Sequence, residues 1–402
     1  MSLPPKIRRW LAERYDIDVA EKFVDGQLHK PLPQETGFWH TFGSLSLYLF
    51  LNQVVTGILL MIYYRPTTNT AFESIRFIMT KAEFGWLIRG LHAWGATLMI
   101  LCVLVHMMRT YFMGAYKKPR ELTWVLGVLI FGCTVTFGFT GYLLPWNQLS
   151  YWATTVGTEI SGAIPVVGNY IKLLLRGGEG VSGETLARFY VLHVVVLPWV
   201  LTTLIVTHLF LMRVQGLATM ERVGEEKPTD KKHAVPFFPD HVLKEGVVFC
   251  ALIGVLVTLI VLWPVELGVK ADPFVTPEGI KPEWYFLPTY QLLKYFPKLL
   301  GIFVSLIPPL LLLLWPFLDR GRERHPKKRP VAVTIGILGL FLAILFGVLG
   351  HFSETTITWH EQRYQLDMYA VPHRLPAGGE AAPNRATKGA KSRESNSQSA
   401  NH

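Results

Sequence analysis

The sequence predicts an all-α integral membrane protein with about seven transmembrane helices. Half of its 402 residues are hydrophobic and only 17% are charged, whereas soluble domains carry about a quarter charged residues. The apolar residues are gathered in runs close to the roughly 20 residues that a helix needs to cross a bilayer. These runs cover residues 38–62, 86–113, 124–144, 189–212, 246–265, 300–318 and 331–350.

The basic residues indicate how these spans are oriented. The net charge is +10, and Lys and Arg cluster after the second, fourth and sixth spans, for example in DRGRERHPKKR at 319–329. Cytoplasmic loops are enriched in Lys and Arg. We therefore expect these loops and the amino terminus in the cytoplasm, and the loops 145–185 and 266–299 and the carboxyl terminus on the outer face. The positive net charge indicates the orientation of the spans and not nucleic-acid binding, because no RNA- or DNA-binding motif accompanies it.

The segments outside the spans carry little further information. Residues 1–23 lack a cleavable signal pattern and are typical of an amphipathic helix on a membrane surface. The three cysteines are isolated in apolar runs, and there is no C-x-x-C-H motif to attach a c-type haem. Residues 353–402 are predicted to be a polar, disordered tail.

Four histidines in two apolar spans are unusual. His92 and His106 lie fourteen residues apart in the second span, and His193 and His208 lie fifteen apart in the fourth. At 100° per residue each pair lies roughly on one helix face, about 21–22 Å apart along the axis. The two spans run in the same direction, so His92 can face His193 near the outer surface while His106 faces His208 near the inner one.

Two facing imidazoles can ligate one iron porphyrin from both sides. Such a haem has no open position for oxygen, so it can only transfer electrons. The sequence thus favours an amino-terminal four-helix bundle with two stacked haems, followed by three carboxyl-terminal helices. A haem-free proton-coupled transporter is the main alternative, because histidines in membrane helices also relay protons.

Glycines and arginines near the histidines fit the haem hypothesis. Glycine allows a flat macrocycle to approach a helix backbone, and haem propionates pair with cations near the interfaces. The glycines repeat the fourteen-residue spacing in the first span, as Gly43 and Gly57, and in the third, as Gly127 and Gly141. The candidate cations are Arg89, Arg109, Arg120 and Arg188, although arginines also serve as interface anchors.

With these residues the sequence resembles cytochrome b of the cytochrome bc and b–f complexes. TFGFTGYLLPWNQLSYW at 136–152 and ADPFVTPEGIKPEWYFLP at 271–288 carry the resemblance together with the histidines and glycines. It extends over about residues 10–352. It implies a diheme bundle at 1–213, a polar cytoplasmic connection at 214–243 and a three-helix quinol-site domain at 244–352, parts that are usually separate chains in the b–f branch.

The resemblance also implies a site of quinol oxidation on the outer face. In the family, the tetrapeptide that matches Pro282, Glu283, Trp284 and Tyr285 lies at the quinol pocket. A carboxylate between apolar neighbours, as Glu283 would be, is suited to accept a proton. Three further residues are expected to line the pocket: Tyr142, Pro145 and Trp146.

The implied reaction divides the two electrons of quinol. One reaches a Rieske iron–sulfur partner and then a c-type cytochrome subunit or a plastocyanin-like acceptor. The other passes through an outer, low-potential b haem (His92 and His193) and an inner, high-potential b haem (His106 and His208) to an inner quinone site. Protons are released outside and taken up inside. Candidates for the inner quinone site are Arg213, Lys244 and Glu245.

The resemblance further implies a homodimeric complex in the inner, cytoplasmic membrane, in contact with lipid and the quinone pool. Thr41 stands where the b–f branch has a cysteine that binds an extra haem, so no covalent third haem is expected. Another alternative is a diheme b-type membrane anchor of a different quinone-linked dehydrogenase, although PEWY and GYLLPW are not expected in such a subunit.

Overall fold

The computed structural model is mostly helical, as predicted. It describes residues 4–29, 31–33, 36–225, 235–277 and 279–375. Within these residues, seven helical spans are long and apolar enough to cross a membrane. They are Phe38–Met61, Gly85–Phe112, Glu121–Leu143, Gly183–Gln215, Phe237–Leu262, Lys298–Leu318 and Pro330–Phe352. The seven predicted spans are therefore confirmed, with the fourth and fifth beginning earlier than the hydrophobic runs indicated.

The helices and strands follow in chain order. The helices are α1 (Pro5–Ala12), α2 (Ile17–Leu28), α3 (Thr41–Met61), α4 (Ala71–Thr80), α5 (Gly85–Phe112), α6 (Glu121–Leu143), α7 (Gln148–Gly162), α8 (Gly168–Arg176), α9 (Gly183–Val191), α10 (Leu197–Gln215), α11 (Val242–Leu262), α12 (Leu287–Lys294), α13 (Lys298–Leu318) and α14 (Pro330–Phe352). The strands are β1 (Pro31–Leu32), β2 (Val235–Pro236), β3 (Thr356–Trp359), β4 (Gln362–Leu366) and β5 (Pro372–Arg374). Short 3-10 turns occupy Phe38–His40 and Pro326–Lys328.

Two pairs of antiparallel helices form the centre of the bundle. α3 packs mainly on α5, and α6 packs mainly on α10. A buried apolar core joins them to α11, and its members are Leu45, Leu49, Phe50, Met99, Cys102, Leu201, Leu252 and Leu256. The remaining faces of the spans are rich in exposed apolar side chains, as expected of helices that contact lipid.

The fourth span contains a π-helical turn at Leu192–Val196, between α9 and α10. Pro198 lies just after this turn. A proline within a helix has no N–H to donate, and its ring displaces the carbonyl group four residues earlier. A π-turn accommodates one extra residue at such a point. Most of the turn lies between His193 and His208, so its extra residue accounts for a spacing of fifteen residues in this histidine pair instead of fourteen.

The described chain divides into two compact units. One comprises residues 1–276 and 306–339, and the other comprises 277–305 and 340–402. The division differs from the predicted boundary at 214–243, because the fifth span packs on α3 and α5 of the first unit. Part of the predicted connection, residues 226–234, lies outside the described residues. Within the same connection, Val235 and Pro236 form β2, which pairs antiparallel with β1.

The prediction of a disordered tail from residue 353 is wrong for residues 356–374. These residues form a three-stranded antiparallel sheet in the order β3-β4-β5. The first two strands are joined at His360 and Glu361, which both have positive φ angles, as tight hairpin turns require. The β-branched and aromatic residues of TITW favour a strand. The polar sequence that follows them outweighed this signal and led to the prediction of a disordered tail. The rest of the predicted tail, 376–402, lies outside the described residues.

Candidate functional site

His92 on α5 and His193 in the π-turn form the first histidine pair. Their ring centroids are 6.3 Å apart. A bond between a metal and an imidazole nitrogen is about 2 Å long, so two rings on opposite sides of one metal have centres about 6 Å apart. The first pair therefore has the separation expected of two axial ligands.

Two threonine hydroxyl groups orient the first pair. The hydroxyl of Thr56 donates to the Asn52 carbonyl at 2.6 Å and lies 2.9 Å from Nδ1 of His92. Thr140 makes the same arrangement, 3.1 Å from Nδ1 of His193. Because each hydroxyl proton is directed at a carbonyl group, the oxygen accepts from the Nδ1–H group. This tautomer leaves the Nε2 lone pair free to bind a metal.

His106 on α5 and His208 on α10 form the second histidine pair. They lie close enough to interact electrostatically. Within the described residues, both Nδ1 atoms are buried and neither contacts a side-chain hydroxyl group, while the His208 ring interacts with the backbone of Thr123. Buried polar atoms usually have a partner. The two pairs thus differ in their surroundings, although the sequence spacing predicted them to be equivalent.

Each of the four predicted glycines faces one imidazole ring. A Cβ atom built on the glycine would meet the histidine Cε1 at 3.0 Å for Gly43 and His106, 3.5 Å for Gly57 and His92, 3.5 Å for Gly127 and His208, and 2.6 Å for Gly141 and His193. The glycines therefore make room for the imidazole rings themselves. A side chain at these positions would displace the rings, so the four positions fit a function of holding them.

The predicted propionate-binding arginines have protein partners in this structure. Arg89 donates to the carbonyl groups of Val265 and Glu266, Arg120 to those of Gln215 and Gly216, and Arg188 to those of Leu173 and Leu174. Arg109 contacts His40, and its Nε is buried without a hydrogen-bond partner among the described residues. Arg109 therefore has a donor left for an anionic group.

A small, partly open cleft lies beside Arg109. Its lining residues are His40, Arg109, Met113, Ala218, Thr219 and Met220. Sequence reasoning missed His40, which stands just before α3 in FWHTFG. The fourteen-residue spacings that identified the other residues do not include it.

The tetrapeptide Pro282 to Tyr285 lies immediately before α12. The Glu283 side chain is half-buried, and this burial raises the pKa of its carboxyl group. The pKa of Tyr285 is raised by burial and by the nearby negative charge of Glu283. The rings of Trp284 and Tyr285 are nearly perpendicular, with centroids 5.6 Å apart. The carboxylate thus lies among aromatic groups, as expected of a proton acceptor for an apolar substrate.

Tyr142, Pro145 and Trp146 lie at the end of α6 and just after it, in the first compact unit. Trp146 is buried beside Tyr151, and its carbonyl accepts from the backbone N–H of Ala271 at 3.1 Å. Trp146 thus anchors the loop that precedes PEWY in the sequence. The function of these three residues at the quinol site stays a prediction.

The predicted inner quinone residues lie near the start of the fifth span. The Arg213 guanidinium lies over the Phe237 ring, 4.9 Å from its centroid, and Lys244 is exposed. Glu245 accepts a hydrogen bond from the Ser44 hydroxyl and lies 3.4 Å from Nε2 of His241. Sequence reasoning missed His241, although a spacing of four residues places it beside Glu245 on a helix.

Comparison with known proteins places both histidine pairs and PEWY within matched regions. The family model described as Cytochrome b/b6/petB matches residues 27–216, and the one described as Cytochrome b(C-terminal)/b6/petD matches residues 270–368. A cytochrome bc complex cytochrome b subunit from Chlorobaculum thiosulfatiphilum is 42% identical over 342 residues, which cover 84% of this chain and 78% of the relative.

Further relatives are consistent with this result. Cytochrome b6 of Synechococcus sp. (strain JA-3-3Ab) is 45% identical over 213 residues, 53% of this chain and 98% of the relative. A solved structure described as hyperthermophilic respiratory Complex III has a TM-score of 0.78 and 33% identity over 86% of this chain and 92% of that chain. The chain therefore belongs to the cytochrome b/b6 family of haem-binding membrane subunits in bc-type electron-transport complexes.

Proposed function

We propose that the chain holds two non-covalent b haems, one between His92 and His193 and one between His106 and His208. The observation that carries this proposal is the set of four imidazoles, each opposite a glycine of a neighbouring span. The 6.3 Å separation of the first pair supports the proposal that His92 and His193 would hold one haem between them. Haems held at these two pairs would supply one-electron transfer.

The surroundings of the histidines support a difference in potential between the two sites. Hydrogen bonds to Thr56 and Thr140 make the imidazoles of the first pair more basic. A haem held by more basic imidazoles would have a lower reduction potential. The second pair has no such hydroxyl group. We therefore assign the lower potential to the first pair and the higher potential to the second.

We propose that quinol is oxidised beside PEWY, where Glu283 accepts a proton from a quinol hydroxyl group. The raised pKa of Glu283 makes its carboxylate a stronger base than an exposed one. Pro282, Trp284 and Tyr285 provide an apolar surface for the quinone ring. One quinol electron goes to a Rieske iron–sulfur partner and on to a c-type cytochrome, and the other goes towards His92 and His193.

The second electron reaches a quinone at the opposite face, where Arg213, Lys244 and Glu245 are the proposed site residues. His241 joins this set because it contacts Glu245. The basic loops support placing this face in the cytoplasm. Quinone protonation inside and proton release outside then contribute to proton translocation by a homodimeric complex in the cytoplasmic membrane.

The proposal is tested by replacing one histidine of each pair in the intact complex. We expect His106→Leu to remove one haem b per chain and to leave the other reducible by quinol, and His92→Leu to remove the other haem. His29→Leu is the matched control, because its side chain, just after α2, is 65% exposed. Haem b per chain and a reduced-minus-oxidised spectrum are the measurements. Two haems retained in His106→Leu would refute the assignment of ligands.

A further inference from the structure

The carboxyl-terminal sheet is attached to the helix that follows PEWY. On α12, the Gln291 side chain donates to the carbonyl oxygen of Met368 at 3.1 Å. Just beyond α12, the Tyr295 hydroxyl donates to the carbonyl oxygen of Tyr369 at 3.0 Å. The two acceptors lie in the connection between β4 and β5. One side of α12 is thus held by main-chain groups of the sheet.

A partly buried ion pair adds a charged contact to the same side of α12. Lys294 Nζ lies 3.0 Å from Oε2 of Glu354, and their side chains are only 11% and 25% exposed. The same ammonium group donates to the Ser353 hydroxyl at 3.1 Å. Lys281 donates to the carbonyl oxygen of His351. The two lysines at the ends of segment 281–294 therefore bind one short stretch, 351–354.

The packing between these segments is close. Gln291 and Ser353 are completely buried. A Cβ atom on Gly350 would lie 3.1 Å from the carbonyl oxygen of Leu287 and 3.3 Å from Cβ of Gln291. Buried and fully packed contacts of this kind permit little relative movement. Residues 350–354 and α12 thus behave as one rigid body.

Glu283 is joined directly to this rigid body. Its carbonyl oxygen accepts from the N–H of Phe286 at 2.9 Å, and the carbonyl oxygen of Trp284 accepts from the N–H of Leu287 at 3.3 Å. These bonds close the turn that leads into α12. A displacement of α12 would therefore move the Glu283 carboxylate.

We propose that the sheet at 356–374 and the Lys294–Glu354 ion pair form a positioning device for Glu283. Lys294 and Glu354 are positioning residues, because they act on the substrate only through α12. The inference rests on the proposed function, in which Glu283 takes a proton from quinol. Small errors in the placement of a catalytic group reduce the rate steeply, so the device would act on kcat more than on KM.

The test uses the intact complex with duroquinol as electron donor. We expect Lys294→Met and Glu354→Gln each to lower kcat about 10-fold with little change in KM. The double variant should be no slower than either single variant, because both remove the same ion pair. Lys294→Arg should restore most of the rate. Glu83→Gln, which changes an exposed carboxylate outside this sheet, is the control and should behave as the wild type.

Two further measurements test whether the loss of rate comes from movement of the segment 283–294. Haem b per chain should stay unchanged, and the amide hydrogens of 283–294 should exchange faster in Glu354→Gln. If Lys294→Met does not assemble, Tyr295→Phe, which removes the hydrogen bond to the Tyr369 carbonyl and the one from the Gln291 side chain, should still lower kcat about 2-fold. Any of three results would overturn the proposal. They are a wild-type kcat in Lys294→Met (or in Tyr295→Phe, if that variant replaces it), additive losses of rate in the double variant, and no recovery of the rate in Lys294→Arg.

The positioning proposal and the proposed function can fail separately. Glu283→Gln is assayed in parallel. An unchanged rate in Glu283→Gln would overturn the function of Glu283, and the positioning proposal with it. A slow Glu283→Gln variant combined with normal Lys294 and Glu354 variants would overturn only the positioning proposal.

Discussion

Gly141 and His193 are packed so closely that no side chain fits between them. A Cβ atom on Gly141 would lie 2.6 Å from His193 Cε1, whereas one on Gly57 would lie 3.5 Å from the corresponding atom of His92. The first distance is below any normal contact, and the second is an ordinary van der Waals contact. Two glycines that the sequence pattern treats as equivalent therefore differ in the side chains that they tolerate.

We expect Gly141→Ala to displace His193 and to lower the occupancy of the first haem site. Gly57→Ala should keep both haems, because its new methyl group meets His92 without overlap. Overpacking of this kind costs about 1–3 kcal/mol, which corresponds to about a 5- to 150-fold loss in haem affinity. Haem b per chain across a titration with added haem is the measurement. Equal affinities in the two variants would contradict the structure.

The Thr140 hydroxyl should tune the haem potential through His193. Thr140→Val keeps the side-chain shape but removes the acceptor for the Nδ1–H group, 3.1 Å away. The imidazole becomes less basic, so we expect one midpoint potential to rise, on the order of tens of millivolts. Thr140→Ser should restore it. A redox titration decides the outcome, and a shift of both potentials, or a fall, would count against this function of Thr140.

The rate of quinol oxidation should depend on pH through Glu283. Burial raises the pKa of this carboxyl group above its usual value, which is about 4.3. Only the ionised form accepts a proton, so the rate should rise with pH through the raised pKa. Glu283→Gln should slow the reaction about 100-fold and remove this rise. Steady-state rates from pH 4 to 8 test it, with Glu83→Gln, at an exposed carboxylate, as the control. A Glu283→Gln variant that keeps the rise would exclude Glu283 as its source.

The sequence predicted the spans well, because long apolar runs are a strong signal. Regular helical spacing predicted the two histidine pairs, and their function as haem ligands stays a prediction. The position of His193 was harder to derive, since a regular helix places residues fifteen apart about 60° out of line. The π-turn at Leu192–Val196 removes this discrepancy. Its position depends on how Pro198 packs, which helical periodicity does not represent.

Two other features depended more on tertiary contacts than on local sequence patterns. The carboxyl-terminal sheet is polar in composition, and its contacts with Gln291 and Tyr295 come from distant parts of the chain. The arginines were correctly located near the ends of the spans. Their partners are backbone carbonyl groups, as with Arg89 and Val265, and these partners depend on loop conformations that span prediction does not include.

A buried ionic network joins the loop after the second span to the loop after the sixth. Lys117 Nζ lies 2.7 Å from Oδ1 of Asp319, and Arg329 lies 3.1 Å from Oδ2. The Tyr116 hydroxyl donates to Oδ2 of Asp319 at 2.5 Å and accepts from the Trp315 indole N–H at 2.7 Å. Lys117 and Arg329 are almost fully buried. A single carboxylate therefore neutralises part of a cluster of cations that water does not reach.

We expect Asp319→Asn to destabilise the protein by about 3 kcal/mol, because it leaves buried cations without their counter-ion. Burial would raise the pKa of Asp319, but bonds from Lys117 and Tyr116 outweigh it, and the pKa lies below its usual value. Its stabilisation is therefore present above about pH 4 and is lost as the pH falls through the lowered pKa. Melting temperatures of the purified complex should differ at pH 7 and approach each other as the pH falls below about 4.

Glu21→Gln is the matched control for this prediction. Glu21 also forms an ion pair with an arginine, Arg8, at 3.0 Å, but both side chains are more than two-fifths exposed. Exposed pairs contribute about 0–1 kcal/mol, so its melting temperature should match that of the wild type. If Asp319→Asn and Glu21→Gln melt alike at pH 7, the network contributes no more than a surface pair, and the two loops must be held together by the apolar contacts of Tyr111, Trp124 and Trp315.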